Sequence, residues 1–135
     1  MPATTEFRVA LTTSDFDRCL SFYRDVLGLS VIQEWPSSEG RGILLAVEKA
    51  TLEILDLQHA AWVDQAEAGR RVSGPVRLAV GVPDVRSTLG SAVRAGASVL
   101  GGPARTPWGD TNARLSGPDG MQITLFGPDL GAGAR

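Results

Sequence analysis

The chain has 135 residues, with 13 Lys and Arg against 15 Asp and Glu, and a formal net charge of −2. Its single histidine, His59, and single cysteine, Cys19, exclude from any one copy a four-ligand Cys/His zinc site, a two-histidine catalytic zinc site, a 2-His-1-carboxylate iron triad and an internal disulfide. A hydrophobic fraction of 43% with 21% charged residues is globular. The lack of a signal-peptide-like start, of an apolar run near ~20 residues and of a Lys/Arg cluster points to one cytoplasmic domain over 1–135, with no membrane or nucleic-acid partner.

In chain order, Phe7 to Thr12 alternates large apolar residues with others, the period of a half-buried strand. Ser14 and Asp15 are N-cap candidates for a helix carrying Phe16, Cys19, Leu20, Tyr23, Val26 and Leu27 at helical spacing, and Gly28 ends it. Leu29 to Trp35 and Ile43 to Val47 read as strands around a turn, followed by a strand over Thr51 to Leu57 and a polar linker over Asp64 to Gly74. Val76 to Val82 then alternates as Phe7 to Thr12 does. Pro83 and Asp84 open a helix with Val85, Leu89, Ala92 and Val93 on one stripe, closed by Gly96. Ser98 to Leu100 is a short strand, Gly101 to Gly109 a loop, and Asn112 to Ser116 and Met121 to Phe126 the last two strands, around a Gly117-Pro118-Asp119-Gly120 turn.

The second half repeats the first. Arg8 aligns with Arg77, Asp15 with Asp84 and Leu20 with Leu89, all 69 residues apart. The spacing predicts an α+β fold of two βαβββ modules, 7–63 and 75–128. Each module buries one sheet face under its helix, and the other faces together form a curved mixed sheet around a trough. Side-chain parity sorts Leu78, Val80, Leu52, Ile54, Ile123 and Leu125 to the helix side. It sorts Arg8, Ala10, Thr12, Arg77, Ala79, Gly81, Glu53, Gln122, Thr124 and Phe126 to the trough, where Ala10, Ala79 and Gly81 leave volume open for a ligand.

Ser14-Asp15, the run Phe22-Tyr23-Arg24-Asp25-Val26-Leu27-Gly28-Leu29, Leu52 to Asp56, and Trp108-Gly109 followed by Gly117 to Phe126 together resemble the vicinal oxygen chelate superfamily, the glyoxalase, bleomycin-resistance and extradiol-dioxygenase group. The resemblance covers about residues 7–128. It implies the glyoxalase/bleomycin-resistance fold, and in metal-using members four trough-facing ligands, commonly His, Glu, His and Glu. The matching positions here are Arg8, Glu53, Arg77 and Thr124. Guanidinium groups stay protonated, donate no lone pair and repel a divalent cation, so no metal and no other cofactor is expected. Three readings of the replacement stand. Glu53 pairs structurally with Arg8 or Arg77; one arginine pairs with Glu53 while the other binds an anionic or carbonyl oxygen of a ligand; or Glu53 is a general base, which neighbouring arginines disfavour.

Three of the eight aromatic residues are tryptophans, Trp35, Trp62 and Trp108, all in or beside turns. Trp108 is either a rim or interface aromatic or a stacking wall for a flat ligand, with Trp35 and Trp62 as further stacking candidates and Phe126 as a trough-facing ligand-binding candidate. His59 reads as a surface or hydrogen-bonded residue, or a proton carrier if it faces the trough. Cys19 reads as core. Asn112, Arg114 and Gln122 can supply polar contacts, but nothing in the sequence distinguishes them. The resemblance and the lost ligands imply a metal-independent binding protein, a homodimer like the bleomycin-resistance branch, holding a small planar or polycyclic ligand through Arg8, Glu53, Arg77, Trp108, Thr124, Trp35 and Phe126. The alternative is a metal-independent lyase, isomerase or cyclase using Glu53 or His59 as acid/base.

Overall fold

The computed structural model describes residues 8–11, 13–35, 40–50, 53 and 55–131, the side chain of residue 35 excepted. Asp15 caps α1 (Phe16–Ser21) by accepting the Arg18 amide at 3.2 Å. The helix continues as a π-helical segment over Phe22–Val26, where the Leu27 amide bonds the Phe22 carbonyl at 3.0 Å. Gly28, with φ of 78°, then reverses the chain as only glycine does without strain. β1 (Ser30–Trp35) and β2 (Gly42–Ala46) form an antiparallel pair.

The first half departs from expectation on either side of these elements. Arg8 to Leu11 form no strand, and Phe7 and Thr12 lie outside the described residues. Of the strand expected over Thr51 to Leu57, Glu53, Leu55 and Asp56 are not in a strand; Thr51, Leu52 and Ile54 lie outside the described residues. Leu57 instead opens a helix, α2 (Leu57–Ala68), so the segment expected as a linker from Asp64 is helical to Ala68. The cause is local: Asp56 accepts the His59 amide at 2.8 Å as N-cap, and Gly69 closes the helix with φ of 71°.

The second half forms the complete predicted order: β3 (Leu78–Gly81), α3 (Val85–Arg94), β4 (Ser98–Arg105), β5 (Asp110–Ser116) and β6 (Gln122–Pro128). Asp84 caps α3 through the Ser87 amide at 3.1 Å. β4 runs on to Arg105, through residues expected as a loop, because it pairs with β5 across register shifts beside Gly101. The sheet order is β3-β6-β5-β4, with β3 parallel to β6 and the remaining pairs antiparallel. Arg114 stands opposite Thr124, and Thr124 opposite Ala79.

Parity divides this sheet into two chemically different faces. Ala113, Leu115, Ile123 and Leu125 are fully buried against Val85, Leu89 and Ala92 of α3 and against Cys19, Phe22 and Tyr23 from the first half. That apolar cluster is the core, and it joins the two halves. Burial, then the nearby Asp119 carboxylate, pushes the Cys19 thiol up to about 11, in keeping with a core residue. The opposite face carries Asn112, Arg114, Gln122 and Thr124, and α2 lies across it. No helix among the described residues is long and apolar enough to cross a membrane. Leu115→Ala empties the centre of the apolar face and is expected to cost about 2–5 kcal/mol, measured as a fall in the urea midpoint at unchanged slope.

Candidate functional site

The sheet face expected to floor an open trough is instead covered by α2 and closed by a polar network centred on Arg114, whose side chain is wholly buried. A buried guanidinium is tolerated only when its charge and its N–H groups are met. Arg114 Nε and Nη2 donate to Glu67 Oε1 at 3.1 and 2.9 Å, and Nε also to Thr124 Oγ1 at 3.1 Å. Nη1 donates to Asp64 Oδ1 at 2.8 Å, Ser73 Oγ at 2.9 Å and Gln122 Oε1 at 3.1 Å. Asp64 and Glu67 stand one helical turn apart on α2, so one face of the helix delivers both carboxylates.

Each carboxylate is held from a second side. Asp64 accepts the Val72 and Ser73 amides at 2.9 Å, the Ser73 hydroxyl at 2.5 Å and Arg71 at 2.7 Å. Burial alone would raise the Asp64 carboxyl, but the Ser73 hydroxyl, the two amides and Arg71 outweigh it and hold the group well below the usual carboxylate range. Glu67 accepts the Thr124 hydroxyl at 2.7 Å on Oε1 and the Asn112 amide at 2.8 Å on Oε2. Asn112 Oδ1 is buried without a partner.

Of the residues expected to form the site, Arg77, Thr124 and Glu53 come together. Arg77 donates to Thr124 Oγ1 at 3.0 Å, and its guanidinium lies 4.0 Å from the Glu53 carboxylate. Glu53 itself is 70% exposed, which corrects the expectation of a carboxylate buried at the floor of the trough. Arg8 is exposed. Trp108, at the β4–β5 turn, meets Trp62 of α2 at a tilt of 49° with ring centroids 5.2 Å apart, and Trp62 meets His59 at 5.4 Å. Phe126 lies over Gly81 and lines a separate open groove of about 530 Å³ with Val82, Pro83 and Asp110. The Trp35 side chain lies outside the described residues.

Sequence reasoning missed Asp64 and Glu67, and named Arg114 only as one of several residues able to supply polar contacts. The available signals were the Asp56 cap, the Gly69 stop and an arginine set between Ala113 and Leu115 in an alternating strand.

The metal positions of the fold do not suit a cation here. Thr124 Oγ1 donates one hydrogen bond to Glu67 and accepts one from each of Arg77 and Arg114, which uses its proton and both lone pairs. Among the described residues, no three His, Cys, Asp or Glu side chains are grouped to hold a metal ion.

The chain belongs to the Glyoxalase/Bleomycin resistance protein/Dioxygenase superfamily, whose family model matches residues 7–125. It is 29% identical over 120 residues to a probable lactoylglutathione lyase from Synechocystis sp., covering 86% of this chain and 89% of that one. Its structure is similar to that of TnmS3, an antibiotic binding protein from Streptomyces sp. CB03234, with a TM-score of 0.56 and 25% identity over 94% of this chain and all (100%) of the other. The hypothetical protein SA1046 from S. aureus shares the fold at a TM-score of 0.64 and 18% identity, over 93% of this chain and 95% of that one.

Two consequences are measurable. Arg114→Met leaves Glu67 buried without its cation and Asp64 with Arg71 alone, and is expected to cost about 3–5 kcal/mol, read from urea unfolding. The fold holds Asp64 below the ordinary value of about 3.9, so below that pH the unfolded chain binds more protons than the folded one. The stability Asp64 contributes is complete above about pH 4 and drains away as pH falls. Thermal melts between pH 7 and 3 should show this acid limb in the wild type and a flatter one in Asp64→Asn.

Proposed function

We propose that this chain is a metal-independent small-molecule-binding protein of the bleomycin-resistance kind. The observation that carries the reading is the content of the four positions at which metal-using relatives place their ligands: Arg8, Glu53, Arg77 and Thr124. Arg77 carries a positive charge, Thr124 is saturated by its neighbours, and Glu53 is solvated. What the chain offers a ligand is suited to recognition: an arginine for an anionic or carbonyl oxygen, and, on α2 and the β4–β5 turn, the half-exposed Trp62–Trp108 pair for a planar or polycyclic ring system. Similarity to an antibiotic binding protein supports this choice. The proposal includes a homodimer in the cytoplasm. Val31 and Ile32 of β1 are exposed on the two-stranded sheet, which supports its being covered by a second copy.

Elemental analysis of protein purified without an affinity tag should find no stoichiometric metal; a tightly bound metal at one per chain overturns the reading. Titration with planar polycyclic antibiotics should quench tryptophan fluorescence, and Trp108→Phe should weaken the best of them about fivefold, on the order of 1 kcal/mol of ring stacking. An unchanged affinity removes Trp108 from the site.

Similarity to a probable lactoylglutathione lyase favours a second reading, a metal-independent lyase or isomerase with Glu53 or His59 as acid/base. It requires turnover that survives chelator and disappears in Glu53→Gln.

A further inference from the structure

We propose that Arg114, Thr124 and Asn112 form a carboxylate-binding site that the chain occupies with its own Glu67, and that the end of α2 carrying Glu67 is a displaceable cover over it. The inference rests on the binding-protein reading above and names the chemical class that site accepts: a small molecule bearing a carboxylate.

The donors and the acceptor belong to different parts of the fold. Glu67 receives four hydrogen bonds, two from the Arg114 guanidinium, one from the Thr124 hydroxyl and one from the Asn112 amide. All of these donors stand on β5 and β6, whose other face is the apolar core. The cradle therefore persists whether or not α2 is docked. An arginine edge aimed at one carboxylate oxygen, reinforced by a hydroxyl and a side-chain amide, is how proteins recognise an acid group on a ligand.

The cover is held by polar contacts. The residues that α2 buries are Val63, Asp64 and Glu67, while Leu57 and Trp62 stay exposed. Little apolar area returns to water when its end lifts. What forbids lifting is the cost of leaving Arg114 buried without an anion at Glu67's place. A ligand carboxylate removes that cost by taking over the same bonds, whereas an uncharged ligand does not. Asp64 is bonded independently to Arg71 and the 72–73 amides, so it keeps the helix tethered while Glu67 exchanges.

Asn112 supplies a second, independent indication. Its amide donates to Glu67, yet its Oδ1 is buried with no partner. The self-occupied state leaves that acceptor unsatisfied, and a ligand with an N–H or O–H beside its carboxylate satisfies it.

Gly101 offers a way to lift the cover without touching the cradle. A Cβ there would overlap the Glu67 carbonyl oxygen and the Ala68 Cα, so Gly101→Ala pushes the end of α2 off β4. The first test uses the wild type, with benzoate as probe and benzamide as its uncharged counterpart. Saturating benzoate should speed amide hydrogen exchange in 65–69 and alter the near-ultraviolet dichroism of the Trp62–Trp108 pair, and benzamide should do neither. Gly101→Ala and Glu67→Gln should each bind benzoate at least tenfold more tightly than the wild type. Asn112→Ala added to Glu67→Gln should cancel most of that gain. The proposal fails if benzoate leaves exchange in 65–69 unchanged, if benzamide acts equally, or if a folded Gly101→Ala or Glu67→Gln binds benzoate no better than the wild type. Quenching by uncharged polycyclic ligands in the same variants would leave the binding-protein reading standing, and its absence throughout would remove both.

Discussion

Arg114 cannot be placed where it is without dictating the arrangement around it. Its side chain has no exposed area, and a guanidinium in that position needs a counter-charge and partners for its N–H groups. β5 presents it on the face turned away from the apolar core, so the counter-charges must arrive from outside the sheet. Asp64 and Glu67 meet it from one face of α2. The helix therefore lies across β4 and β5, the 71–73 turn is drawn in through Asp64, and Gln122 and Thr124 of β6 are enlisted on the far side.

The four-stranded sheet is thus held by different physics on its two sides. Leu115, Ile123 and Leu125 on one side exchange water for close-packed neighbours, a non-directional gain proportional to the area buried. On the other side each charge loses hydration as it gains a partner, and the two effects nearly cancel. The ionic face contributes little net stability, but it is intolerant of rearrangement, because moving one member strands another. It specifies how α2 sits more than it strengthens the fold.

That difference decides what could be read from the residues alone. Apolar alternation and helical stripes carried the second half: β3, α3, β5 and β6 fall where the spacing put them, with Asp84 as the cap and Gly96 as the stop. Parity also sorted Thr124, Gln122 and Arg77 to the polar side. α2 escaped because its inward face pairs Val63 with Asp64 and Glu67, so a search for an apolar stripe sees a solvated segment. Its ends were legible in Asp56 and Gly69, which place the helix but not the surface it covers. Arg114 escaped for a related reason. An arginine in a strand is ordinarily solvated, and only knowing that acids lie opposite makes it a centre. Glu53 erred the other way: parity sorted it to the trough as a carboxylate in need of a partner, and the chain leaves it exposed.

The same network accounts for Arg77 and Thr124 standing side by side on the polar face. A hydroxyl has one proton and two lone pairs, and at Thr124 the proton goes to Glu67 and the lone pairs to Arg77 and Arg114. Placing a cation on that oxygen would require it to compete with two guanidinium groups for the same electrons and to approach them closely. The like-charge repulsion would be only weakly screened in a largely buried site. Building metal ligation at this oxygen would therefore take more than a histidine in place of Arg77. Arg114 would also have to be removed, and Glu67 would then lose the charge that allows it to be buried, while Asp64 would keep Arg71 alone. The positions are coupled, so what the Thr124 oxygen can bind is a property of α2 and β5 together.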